Sequence, residues 1–95
     1  MEAAALHRLA VIRAKNNRFS ESGELFRRAL QLDPQNPSIL SDFAQLHADR
    51  KDYNEAERLL KQALDADPNN PRTLFKLGSL IATQRPTRQT EGLFE

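Results

Sequence analysis

Residues Ala63-Leu64-Asp65-Ala66-Asp67-Pro68-Asn69-Asn70-Pro71 decide the fold, because the chain has used the same phrase once before. Thirty-four positions earlier stand Ala29-Leu30-Gln31-Leu32-Asp33-Pro34-Gln35-Asn36-Pro37. Each copy stops one helix and starts another. The proline ring pushes Asp33 or Asp67 out of the α region and withholds a backbone donor. Asn36 and Asn70 are good helix N-caps, and Pro37 and Pro71 take the first helical position, where a missing N–H costs nothing.

Working outward from these turns, the apolar residues recur at helical spacing. A first helix is predicted over Ala3 to Lys15, with Leu6, Leu9, Ala10 and Ile12 on its apolar face. Asn16-Asn17-Arg18 breaks it, since asparagine tolerates the left-handed conformation of a tight turn. A second helix follows from Phe19 to Leu32, facing inward with Phe19, Leu25, Phe26, Ala29 and Leu30. Gly23 inside it costs roughly 1 kcal/mol of helix propensity, which points to a close approach of another helix there. The third helix runs from Pro37 to Arg50, the fourth from Tyr53 to Ala66 after a Lys51-Asp52 turn, and the fifth from Pro71 to Gln84. Arg85-Pro86 ends the last. The remaining Thr87 to Glu95, with Leu93 and Phe94, is a short C-terminal stub, too short to fold as an independent helix.

Short turns between helices of this length force antiparallel neighbours. Set against itself at an offset of 34, the chain repeats Leu6/Leu40, Ala10/Ala44, Ala14/Ala48, Leu25/Leu59, Ala29/Ala63 and Leu30/Leu64, besides the turn residues. Leu40/Leu74, Leu46/Leu80 and Ala48/Ala82 carry the register into a third copy. The shared residues are apolar, small or turn-forming, as a stack of helix pairs requires.

A 34-residue helix–turn–helix unit closing on Asp-Pro-Asn-Asn resembles the tetratricopeptide repeat. That family sets large apolar residues at the fourth and seventh places of the unit and a small one at the eighth. Leu6, Leu9 and Ala10 fill these places, then Leu40, Phe43 and Ala44, then Leu74, Leu77 and Gly78. Phe19 and Tyr53 supply the aromatic that opens the second helix, and Ala56, Ala63 and Pro68 match the later small and proline places. Departures are local: Ser22 for an alanine, Arg13 and His47 for an aromatic, Asn17 and Lys51 where glycine is common. The resemblance implies an all-α, antiparallel helix-pair solenoid with a right-handed superhelix. It forms one domain over residues 1–95: a repeat over about 3–36, a second over about 37–70, and a partial third over 71–95. A third such turn would fall near residue 102, so the third repeat is expected to be incomplete here.

Composition narrows the function. Hydrophobic residues make up 39%, charged residues 28%, and the formal net charge is +1. This offers no electrostatic footprint for nucleic acid. Cysteine is absent, which excludes disulfides and thiol chemistry and fits a reducing, cytoplasmic compartment. The opening residues lack a signal-peptide pattern, and no stretch reaches membrane-spanning length. His7 and His47 occupy non-equivalent places in different repeats and share no ligand spacing with carboxylates. Ser20 and Ser22 have no convergent base, and no phosphate-binding glycine motif occurs. No enzyme, cofactor or metal is expected.

What remains is a surface. The resemblance implies that the first helix of each pair lines a concave groove, where partners bind as extended peptides or helices, so that the chain is a protein-binding scaffold or adaptor. By family place the groove would comprise His7, Arg8 and Val11 from the first repeat, Ser41, Asp42, Gln45 and Asp49 from the second, and Arg72, Phe75, Lys76 and Ser79 from the third. Arg72 and Lys76 match two basic places of the chaperone-binding carboxylate clamp. His7, Val11 and Asp42 depart from its other three, so that use is not expected. Arg8, Asp42 and Lys76 instead share one repeat place and predict a plus–minus–plus ladder across successive helices. The alternative reading is structural. Leu74, Leu77 and Ile81 on the fifth helix would be left open and could pair with a second copy or with the rest of a longer protein.

Overall fold

The computed structural model describes residues 2–84. They form five α-helices: α1 Ala3–Lys15, α2 Phe19–Leu32, α3 Pro37–Asp49, α4 Tyr53–Ala66 and α5 Pro71–Gln84. The expected stub, with Leu93 and Phe94, lies outside the described residues. Boundaries match the sequence reading except in α3, which ends at Asp49 instead of Arg50. Lys51 takes a left-handed φ of 67°, and Arg50 becomes the cap that turns the chain into it.

The two tight turns share one geometry. The Arg18 N–H bonds Arg13 O at 2.9 Å and the Asn17 N–H bonds Ala14 O at 3.0 Å. In the second repeat Asp52 bonds His47 O at 2.8 Å and Lys51 bonds Ala48 O at 2.9 Å. This paired pattern ends a helix around one left-handed residue, here Asn17 and Lys51. Glycine is common at that place because it alone adopts the conformation without steric cost.

The Asp-Pro turns are built alike as well. Asn36 Oδ1 accepts the N–H groups of Ser38 and Ile39 at 2.9 and 3.1 Å, and Asn70 Oδ1 accepts those of Arg72 and Thr73 at 3.0 and 3.1 Å. Each asparagine also donates its amide backward, Asn36 to Asp33 Oδ2 at 2.9 Å and Asn70 to Asp67 Oδ2 at 3.2 Å. One side chain thus caps the new helix and ties down the end of the old one. The second role gives the aspartate before each proline a partner of its own.

α1 packs most extensively on α2, and α3 on α4, giving two antiparallel hairpins; α5 packs on α4 and α3. Small residues Ala10, Ser22, Ala44 and Ala56 of these pairs are all buried. Ser22 is more than a stand-in for alanine. Its hydroxyl donates to the Ala10 carbonyl at 2.7 Å. Between the pairs runs a column of rings: His7 and Phe26 with centroids 6.0 Å apart, Phe26 stacked on Phe43 at 5.2 Å, and Phe43 on His47 at 4.8 Å.

Gly23 does not mark a close helix approach. It is buried, but a Cβ placed there would meet only the Arg27 guanidinium of its own helix, at 3.4 Å. Leu9 and Ile12 are likewise more open than their apolar spacing implies. Their equivalents Phe43 and Leu46 pack inward because a helix pair precedes them.

Candidate functional site

α1, α3 and α5 line a concavity of about 300 Å³. Val11, Ala14 and Lys15 of α1, Asp42, Gln45 and Asp49 of α3, and Arg72 and Lys76 of α5 form its walls, with Phe26 and Leu46 at its floor. Six of the eleven sequence-predicted groove residues meet there: Val11, Asp42, Gln45, Asp49, Arg72 and Lys76.

Asp42 sits at the centre of a chain of contacts across all three helices. Its Oδ2 lies 2.7 Å from His7 Nε2, and its Oδ1 accepts from Arg72 Nη2 at 2.7 Å. The carboxylate is nearly buried, and His7 is half-buried against Phe26. The predicted Arg8–Asp42–Lys76 ladder is therefore replaced by His7–Asp42–Arg72, in which an imidazole on one side and a guanidinium on the other meet one carboxylate. Lys76 Nζ instead donates to Gln45 Oε1 at 3.2 Å, and Gln45 Nε2 donates to Asp49 Oδ1 at 2.8 Å. Arg8 is exposed and has no ion-pair partner among the described residues.

The reason for the substitution is a stagger between helices. Contacts from α3 to α5 join residues 30, 31 and 32 apart, not the 34 of the sequence repeat. Equivalent residues of α3 and α5 are thus displaced along the helix axes by two to four positions, roughly 3–6 Å, whereas between α1 and α3 the His7–Asp42 contact departs from 34 by only one. Same-place side chains do not face each other.

The stagger also relocates two predicted groove residues. Ser41 is fully buried between α3 and α5, with its hydroxyl 2.8 Å from that of Thr73. It is part of the inter-repeat seam. Phe75 occupies the equivalent place on α5 and is 74% exposed. Ser79 is exposed beside a smaller hollow formed with Gln45, Ala48 and Thr83. Leu74 and Ile81 are also exposed, and Gly78 between them has open space in front of it.

Among the described residues no group of three or more histidines, cysteines or acids could hold a metal ion, and no helix is long and apolar enough to cross a membrane. Away from the concavity, Arg58 Nε donates to Glu55 Oε1 at 3.0 Å on the outer face of α4. That bond holds the Glu55 carboxyl below its ordinary pKa and raises that of Arg58.

Comparison with known proteins gives one positive result. A family model described as tetratricopeptide repeat matches residues 13–73, well over half of the chain. No curated protein matches it.

Proposed function

The chain belongs to the tetratricopeptide repeat family, and from that premise we propose that it binds a peptide or helix of a partner protein in the concavity lined by α1, α3 and α5. Members of this family generally mediate protein–protein interaction and are typically non-catalytic. The observation that carries the finer reading is the cross-helix contact His7–Asp42–Arg72. It fixes the spacing of the three walls before a partner arrives, which reduces the ordering cost of binding. Asp42 is already satisfied on both oxygens, so the groove presents Lys15, Lys76 and the Asp49 carboxylate, with Val11 as its apolar contact.

Peptides selected from a displayed library on the wild-type chain provide the test. Their affinity is expected to fall at least tenfold on a Lys15→Glu, Lys76→Glu variant, with backbone amide shifts confined to α1, α3 and α5. Equal affinity for the variant, or shifts on the outer faces of α2 and α4, would overturn the assignment.

A second reading rests on Leu74, Phe75 and Ile81, which α5 leaves exposed with half-buried Leu77 beside them. This face supports self-association through a second copy. Light scattering over a concentration series is expected to show dimer growth that Leu74→Glu abolishes. A strict monomer at high concentration removes this reading and leaves the groove untouched.

A further inference from the structure

A hollow of about 400 Å³ lies between the start of α2 and the end of α3, away from α1 and α5. We propose that it is a site for a phosphate monoester, carried on a phosphorylated side chain of a partner protein. Two guanidinium groups enter it, and each is held by a contact that leaves its N–H donors unengaged. The Arg50 guanidinium lies over the Phe19 ring, 5.0 Å from the centroid. That of Arg27 lies along its own helix above Gly23, in the space a larger side chain would fill. Neither arginine makes a side-chain hydrogen bond or ion pair among the described residues.

The charge around the hollow is asymmetric. Asp52 is the one carboxylate among its described lining residues, and it lies 3.5 Å from His47 Nδ1, which lines the hollow as well. Of the acids near it in sequence, Glu21 is engaged with Arg13 and Arg18, Asp49 with Gln45 and Glu55 with Arg58, while Glu24 is exposed and does not line the hollow. Two cations thus face one anion before His47 is considered. The start of α2 adds to the same sign. Arg18 gives it no side-chain cap, so the amides of its first turn lack a capping acceptor, and the Ser20 hydroxyl stands at the rim. A helix N-terminus favours negative charge.

These features select among anions. A guanidinium presents several donors in a planar fork that matches phosphate oxygens two at a time. A phosphate monoester brings about −1.5 to −2 charges and three acceptor oxygens, enough to engage both arginines. A carboxylate brings one charge and two acceptor oxygens, which a single guanidinium fork already fills. The aromatic floor of Phe19 and Phe43 borders the hollow on its apolar side.

The test is an amide-shift titration of the isotopically labelled chain with N-acetyl phosphoserine amide, using N-acetyl glutamate amide and dimethyl phosphate as controls. The expected result is saturable shifts at Ser20, Gly23 and Arg50, with the monoester bound at least tenfold tighter than either control. Arg27→Gln and Arg50→Gln are each expected to weaken it at least tenfold, and Lys76→Glu to leave it unchanged. Two further variants separate position from charge. Gly23→Ala adds only an ordinary contact with Arg27 and keeps binding, whereas Gly23→Leu takes the space of the guanidinium and loses it without removing a charge. Equal affinities for monoester and glutamate, or wild-type affinity in both arginine variants, would overturn the proposal. Because Arg27 and Arg50 are exposed and make no ion pair, those two variants decide the matter even if Gly23→Leu fails to fold.

Discussion

α3 and the two helices that flank it, α1 and α5, carry the same pattern of residues and have different fates. Leu40, Phe43 and Leu46 of α3 are buried; of their counterparts, Leu9 and Ile12 on α1 and Leu74 on α5 are exposed, while Leu80 on α5 stays buried like Leu46. Phe43 is 7% exposed and Leu9 37%, though both stand at the same place of the repeat. The difference is one of neighbours. α3 has a helix pair before it and α5 after it, while each outer helix has an uncovered side among the described residues. In a stacked array the pattern states which faces can be buried, and the adjacent repeat decides whether they are.

The largest effect that can break this comparison is core truncation. Phe43→Ala removes a ring stacked on Phe26 and is expected to cost about 3–5 kcal/mol. Leu9→Ala at the equivalent place should cost about 1 kcal/mol or less, because much of that side chain stays in water. Urea unfolding of the two variants checks this; equal losses would mean that α1 is covered in solution.

Next comes the seam. Ser41→Ala leaves the fully buried Thr73 hydroxyl without its partner, at an expected cost of about 1–3 kcal/mol. Phe75→Ser, the same place one repeat later, should stay within about 0.5 kcal/mol of wild type. A smaller effect sharpens the comparison at the two Asp-Pro turns. Asn36→Ala and Asn70→Ala each delete a double cap and are expected to cost about 1 kcal/mol. The first should lower the midpoint of the whole unfolding transition, and the second should chiefly fray α5, as seen in amide exchange.

The smallest effect is electrostatic. Glu55 has a folded pKa below its ordinary value, first because of its hydrogen bond to Arg58, which outweighs the opposing desolvation, with smaller Coulombic attractions to Arg58 and His47 adding to it. A depressed carboxylate stabilises the fold above its unfolded pKa, and that contribution is lost as pH falls through the lowered folded value. Wild type is therefore expected to lose a few tenths of a kcal/mol more than Arg58→Ala as pH drops below about 4.5, the pair being largely solvent-exposed. Chemical denaturation of both proteins between neutral pH and pH 3 measures the difference.

Helix positions were legible in the sequence because they depend on local chemistry: Asp-Pro stops, Asn-Pro caps and left-handed Asn17 and Lys51. Part of the core's register was legible for the same reason, since the identities Ala10/Ala44, Ala29/Ala63 and Leu46/Leu80 are buried in both copies. Pairings between repeats were not. Equal spacing suggests that Arg8, Asp42 and Lys76 face each other, but the stagger of 30 to 32 residues across α3 and α5 brings Arg72 to Asp42 and Lys76 to Gln45. The same displacement carries Ser41 out of the groove and into the seam. A spacing of 35 links His7 to Asp42, a hint visible only once the helices are stacked. The Arg27–Gly23 contact had no signal beyond an unexplained glycine.

Native-state amide hydrogen exchange tests most directly whether neighbours set the fate of these equivalent helices. The expected result is that the middle amides of α3 exchange only through global unfolding, while those of α1 and α5 exchange through partial openings at lower free energy. Uniform protection across α1, α3 and α5 would contradict it, because the outer helices would then be as well covered as the central one.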